Sequence, residues 1–181
     1  TRSKLHEPGA CAATIASINS ALATAGGASG DGTHFATAVF GLYDPTSHEV
    51  SLSVAGHPPP LRMMPGSTSQ IAPHGPLLGV FDDVEFTEAS FTLQPGETLL
   101  IYSDGFEVAF AVLGERSPAN EHYLKHFASL GETATEADSV GFAMANLEAE
   151  LDLQHGSLHQ ADDITAIGFR RPLKSARACA A

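Results

Sequence analysis

The sequence predicts an α+β fold built on antiparallel strands. An amphipathic helix opens the chain, and a run of short apolar segments separated by Pro and Gly turns follows. After Gly105 the apolar spacing becomes helical, before one last strand near the end.

Residues 8–25 read as the opening helix, with Pro8 tolerated in its first turn and Gly26-Gly27 stopping it. Ile15, Ile18 and Leu22 fall three and four apart and form one apolar stripe, which Ala12 extends. Residues 26–33 are a polar loop in which Asp31, between two glycines, is a turn residue. Strands are expected over residues 35–43 and 49–54, joined by the turn Asp44-Pro45-Thr46-Ser47-His48 into a hairpin. Pro58, Pro59 and Pro60 remove donors that a central ladder would need, so the chain leaves the sheet there. A second short hairpin is expected over residues 61–64 and 69–71 around Pro65-Gly66, and residues 75–80 form a loop with an apolar anchor. Residues 86–93 alternate apolar and polar, as an edge or half-exposed strand does, and Pro95-Gly96 turns that strand back into residues 99–103. Leu99-Leu100-Ile101-Tyr102 reads as a strand buried on both faces. Beyond it, Ser117-Pro118 starts a helix carrying Leu124, Phe127 and Ala128, and Thr135 with Asp138 resembles a capping box. Val140, Met144, Leu147 and Leu151 then give the clearest helical stripe, which Gly156 breaks. Residues 164–169 are the last strand, and residues 171–181 a basic, alanine-rich tail expected to be mobile beyond a domain of residues 1–170.

With 181 residues, 43% hydrophobic and 17% charged, the chain is long enough for one domain with a substantial core. Its formal net charge of -12 is the reverse of what neutralising nucleic-acid phosphates requires. The acidity suits a protein that holds cations, although most such side chains are solvated surface. Cys11 and Cys179 can form no disulfide framework and lack metal-type neighbours, which points to a reducing, cytoplasmic setting. No apolar run approaches the roughly 18 residues of a membrane span, and no signal segment opens the chain. It starts at Thr1, so a piece of something longer is expected.

Two places combine a short apolar strand with acids at its mouth: Ser103-Asp104-Gly105 and Asp162-Asp163-Ile164-Thr165. An acid at a strand end loses hydration unless something positive meets it, and a divalent cation is the obvious partner. A hydrogen-bonded turn aspartate fits the same stretch. Neighbouring strand residues point to opposite faces, so only one of Asp162 and Asp163 should face a site, the other being a capping or surface group. Such hard oxygen ligands suit Mg²⁺ or Mn²⁺ rather than Zn²⁺. Among the 9 histidines, His122 and His126 are spaced to share a helix face, but Tyr123 stands where a His-Glu-x-x-His site needs Glu, so surface histidines are the simpler account. His57, in the proline turn, is a candidate acid or phosphate contact, set against a purely structural turn. Nucleophile elbows, phosphate loops and dinucleotide glycine patterns are absent.

Phe35-Ala36-Thr37-Ala38, Ala55-Gly56-His57-Pro58-Pro59-Pro60-Leu61, Pro76-Leu77-Leu78-Gly79, Leu93-Gln94-Pro95-Gly96-Glu97, Ser103-Asp104-Gly105 and Asp162-Asp163-Ile164-Thr165 occur in an order that resembles bacterial metal-dependent serine/threonine phosphatases of the SpoIIE/RsbU type, in the PPM superfamily. The resemblance runs from Pro8 to Arg170 and includes the helix with Ile15, Ile18, Asn19 and Leu22. It implies a two-layer antiparallel β-sandwich flanked by helices. It also implies hydrolysis of phosphoserine or phosphothreonine on a protein partner, commonly an anti-anti-sigma factor. The implied mechanism uses two cations, Mn²⁺ or Mg²⁺ about 3.5–4 Å apart, to activate a water for in-line attack on phosphorus. By motif matching, Asp104 is a metal ligand and catalytic residue. Asp162 is its counterpart in the last motif, with Asp163 as the alternative.

Two departures stand out. The family's first metal motif should lie before the Pro8 helix, where only Glu7 is acidic, so the opening strands are expected to be missing and a dinuclear centre is not expected from these residues alone. The family also places a glutamate four residues after the aspartate, whereas Glu107 follows Asp104 by three. A sandwich without its opening strands would expose a sheet edge and invite a homodimer or strand exchange. The leading expectation is a metal-dependent protein phosphatase. A non-catalytic phosphatase-like module binding a signalling partner is the rival, and a small-molecule-binding sandwich the third reading.

Overall fold

The computed structural model describes residues 7–29, 34–106, 127, 139–154 and 163–173. The expectations for Asp31, Glu107, the Ser117-Pro118 and Thr135/Asp138 caps, His122, His126, Gly156 and Asp162 lie outside the described residues. The chain divides into two compact units, residues 1–59 with 71–92, and residues 60–70 with 93–181.

The first unit holds helix α1 (Ala10–Ser29) and strands β1 (Ala38–Tyr43), β2 (Glu49–Ala55) and β5 (Glu88–Thr92). The strands form an antiparallel sheet in the order β1-β2-β5. Ile15, Ala55, Leu78 and Phe86 make its core, joined by Ala12, Ala16, Leu22 and Phe40. Gly26-Gly27 do not stop the helix, which runs on to Ser29. A glycine costs a helix interior only about 1 kcal/mol against alanine, too little to end one already propagating over several turns.

The stripe on α1 also differs from expectation. Ile18 is 43% exposed, and the buried neighbour is Asn19, at 1%. At about 100° per residue, a face centred on positions 12, 15, 16, 19 and 22 leaves position 18 at its edge. Asn19 is satisfied in the core because Nδ2 donates to the Phe81 carbonyl at 2.9 Å and Oδ1 accepts from Gly79 N at 2.8 Å.

The start of α1 is capped from far along the chain. Glu88 on β5 accepts from the N–H groups of Gly9 (3.0 Å), Cys11 (2.7 Å) and Ala12 (3.3 Å). A carboxylate there satisfies donors that the first turn cannot pair internally and meets the positive end of the helix dipole. Beside it the Cys11 thiol donates to the Ser51 carbonyl at 3.2 Å. Burial first, and the Glu88 charge next, push that thiol up to about 11, so it stays a protonated donor at neutral pH. Glu88→Ala should therefore cost about 1–2 kcal/mol, read as a lower urea midpoint with an unchanged slope. A midpoint equal to wild type would show that the cap is idle.

The first hairpin stands as expected, with Ala38 opposite Ala55 and Tyr43 opposite Val50, although β1 starts later than position 35. Asp44 Oδ1 accepts from Thr46 N at 2.8 Å to shape the turn. Beyond β2, Gly56 adopts φ +60°, and a side chain there would meet Leu77, which is why the chain can leave the sheet at this point.

The second unit holds β3 (Leu61–Met64), β4 (Ser67–Gln70), β6 (Thr98–Tyr102), helix α2 (Ser139–Gln154) and β7 (Ala166–Arg170). Its antiparallel sheet runs β4-β3-β6-β7. The expected turn of residues 86–93 back onto residues 99–103 is therefore corrected: β5 pairs with β2, whereas β6 lies between β3 and β7. The register sets Leu61 opposite Leu100, so Leu61, Met63, Leu100 and Tyr102 share one face. Phe106, Phe127 and Leu147 close that core, with Met144, Leu151, Ile164 and Ala166 packed on it. The 144/147/151 stripe thus does what its spacing predicts. On the other face Leu99 is buried at 6%, but Ile167 and Phe169 on the edge strand β7 are 59% and 38% exposed.

The turn before β6 is fastened by Glu97, buried at 2%. Its Oε1 accepts from Arg62 Nε at 2.6 Å and its Oε2 from Gln94 N at 2.7 Å. Arg171, just past β7, donates to the Glu97 carbonyl through its backbone and to the Leu93 carbonyl through Nη1 at 2.7 Å. Among the described residues no helix is long and apolar enough to cross a membrane.

Candidate functional site

The two acidic segments are brought side by side by sheet pairing. In the antiparallel pair of β6 and β7, Tyr102 lies opposite Ala166, so the residues after one strand run beside those before the other. The ladder continues one step further, with Ser103 N donating to the Thr165 carbonyl at 2.9 Å. There the Ser103 hydroxyl takes over: Oγ accepts from Thr165 N at 2.9 Å and donates to the Asp163 carbonyl at 3.1 Å. On the far side of Asp104, Gly105 packs directly on the same backbone, where an added Cβ would run into the Asp163 carbonyl oxygen and lie 3.2 Å from Ile164 Cγ1.

Asp104 is held outward by its neighbours. Tyr102 and Phe106 are each 1% exposed, and their rings meet edge-on at 6.3 Å with Phe127 against both at 5.0 Å. With aromatic anchors buried on either side, residues 103–105 form a short excursion whose middle side chain is exposed. Asp163 is exposed as well, while Ile164 packs on the core. This is the alternation expected of a strand start. A cavity of about 370 Å³ opens nearby between α2 and Ile164, lined mainly by apolar side chains such as Phe106, Met144, Leu147 and Leu151, with Glu148 as its one acid.

Among the described residues no three His, Cys, Asp or Glu side chains converge as a metal-binding group. The sequence candidates fare differently. Asp104 and the backbone of Asp163 belong to one neighbourhood, whereas Asp162 lies outside the described residues. His57 is half-buried in the first unit, and its Nδ1 donates to the Pro58 carbonyl at 2.9 Å, as a structural turn residue would. Sequence reasoning missed Ser103 as a contact, although it stands inside the motif that was singled out. An odd position at the end of a central strand, polar where its predecessors are apolar, was the available signal.

The family model of stage II sporulation protein E (SpoIIE) matches residues 2–172. Protein IcfG of Synechocystis sp. is 32% identical over 145 residues, which are 78% of this chain and 22% of that relative. The chain thus spans about a fifth of the length of the curated relative it matches. Among solved structures, the SiaA-PP2C domain of Pseudomonas aeruginosa superposes with a TM-score of 0.71 at 16% identity, over 88% of this chain and 60% of that one. PppA of Pseudomonas aeruginosa gives 0.63 at 20% identity, over 90% and 69%. The phosphatase domain of SpoIIE from Bacillus subtilis gives 0.57 at 15% identity, over 88% and 66%. At these identities the structural likeness speaks for the fold, which is that of PP2C phosphatases. The match to the SpoIIE model along nearly its whole length makes this chain a member of the SpoIIE family, with the fold of PP2C phosphatases.

Proposed function

We propose that this chain carries part of the active site of a metal-dependent protein phosphatase, with Asp104 and Asp162, or Asp163 in its place, holding Mn²⁺ or Mg²⁺. The observation that supports this most is the convergence of two acidic segments, 60 positions apart, through Ser103 and the Asp163 carbonyl. Exposed carboxylates at 104 and 163 are hard donors of the type these cations take. The described residues offer a partial ligand set, which in this reading is completed by oxygens outside them. Bound there, such ions supply Lewis acidity toward water and toward phosphoryl oxygens.

The chain's own contribution is placement and charge. Tyr102 and Phe106 fix the turn from beneath, and Asp104 points to solvent where a phosphorylated side chain of a partner can reach it. A net charge of -12 opposes the approach of a phosphate dianion, so the local sign has to be inverted by cations before substrate binds. RsbX, whose fold is similar, is known in complex with magnesium, and the Bacillus subtilis SpoIIE phosphatase domain was presoaked with Mn. The substrate class in this reading is phosphoserine or phosphothreonine on a signalling protein of the anti-anti-sigma type.

Phosphate release from a phosphoserine protein by the full-length enzyme tests the reading. Release is expected with Mn²⁺, should vanish with EDTA and should return when Mn²⁺ is restored. Tight binding of the phosphoprotein with no release under any divalent cation would favour the non-catalytic module instead.

A further inference from the structure

We infer that Ser103 is a positioning residue, whose hydroxyl fixes the backbone at Asp163 against the Asp104 turn. The inference rests on the cation-site reading above and adds a residue to it.

Beyond the pair Tyr102–Ala166, the backbone joins the segments through Ser103 N, which donates to the Thr165 carbonyl. The hydroxyl adds two more bonds, and it adds them on both sides of Ile164, to Thr165 N and to the Asp163 carbonyl. Only a group that donates and accepts at once can do this, and a hydroxyl is the smallest that does. Gly105 limits the same carbonyl from the other side, because the space between it and Asp163 holds no Cβ. The Asp163 carbonyl is thus held between residues 103 and 105, the immediate neighbours of Asp104.

The Ser103 hydrogen bonds lie at the surface, where water can replace them at a net cost of about 0.5–1.5 kcal/mol each. Stability alone is a weak reason for the arrangement. Geometry is a stronger one, since ligands for a cation must be held within about 0.5 Å of their working positions. Groups that orient metal ligands typically change metal affinity by about 10–100-fold when removed.

The test is an equilibrium Mn²⁺ titration of the full-length protein, with free Mn²⁺ read by its electron paramagnetic resonance, alongside melting midpoints. Ser103→Ala should weaken Mn²⁺ binding by about 10-fold, and Ser103→Thr, which keeps the hydroxyl, should bind as wild type does. Ser103→Cys, with a poorer donor and acceptor, should fall between them and serves if the alanine variant does not fold. Wild-type affinity in Ser103→Ala or Ser103→Cys, or equal loss in the alanine and threonine variants, would overturn the inference. So would a lowered melting midpoint with unchanged affinity. Asp104→Asn separates the two claims. If it loses Mn²⁺ while Ser103→Ala keeps it, the cation site stands and the positioning role falls. If Asp104→Asn also keeps wild-type affinity, both fall.

Discussion

Asp104→Asn is expected to reduce Mn²⁺-dependent phosphate release by about 10²–10³-fold, equivalent to roughly 2.7–4 kcal/mol of transition-state stabilisation. The substitution replaces a charged oxygen with a neutral amide of the same shape. On the proposed role, what is lost is the attraction between a carboxylate and a cation, with little change in packing. Because Asp104 is exposed and its anchors Tyr102 and Phe106 are untouched, the melting midpoint should stay close to wild type, as surface changes within about 0.5 kcal/mol do. Loss of activity with retained stability is the signature of a functional acid. Equal turnover in the two proteins would reduce Asp104 to a turn residue.

The second large effect is structural. Gly105→Ala places a methyl group into the Asp163 carbonyl oxygen, with the carbonyl carbon at 3.1 Å, and neither is the movable end of a side chain. The turn or the start of the last strand must shift, and Phe106 is buried one residue away. Such overpacking costs about 3 kcal/mol, which in a chain of this size lowers the melting midpoint by about 6–12 °C. Gly141 is the internal comparison. It lies in helix α2 with open space around its Cα, so Gly141→Ala should stabilise by about 0.5–1 kcal/mol. Thermal melts of both variants beside wild type check this. A Gly105→Ala protein that melts within 1 °C of wild type would mean that the contact between the turn and residue 163 is not tight.

These expectations show where the sequence was informative. Pro and Gly turns located both hairpins, because those residues restrict or free φ regardless of tertiary context. The spacing of Met144, Leu147 and Leu151 located helix α2, because a periodic stripe has few alternative uses. Acids at the mouths of two short apolar strands marked residues 103–105 and 162–165 as candidates, while their meeting was implied by the family resemblance rather than by the strand pattern. Other features were decided by distant partners. The cap on helix α1 comes from Glu88, 77 positions beyond Cys11, and no local pattern announces it. Asn19 reads as a polar interruption of an apolar face until the Gly79 and Phe81 backbone groups are seen to need it. The partner of β5 was misjudged because a Pro-Gly turn indicates a change of direction without saying which sheet receives the next strand. Glu97 reads as one more acid in a solvated set, yet Arg62 on β3 and the Gln94 N–H hold it in the interior.

The central claim is that acids from both segments grip the same cation. Mn²⁺ affinity measured in full-length Asp104→Asn, Asp162→Asn, Asp163→Asn and the double variants tests it most directly, because two ligands of one ion must be energetically coupled. Asp104→Asn, and Asp162→Asn or Asp163→Asn, should each bind at least about 10-fold more weakly than wild type. The double variant of the two ligands should lose clearly less than the sum of the single losses. Strictly additive losses, or wild-type affinity in Asp104→Asn, would contradict the account, as would wild-type affinity in both Asp162→Asn and Asp163→Asn.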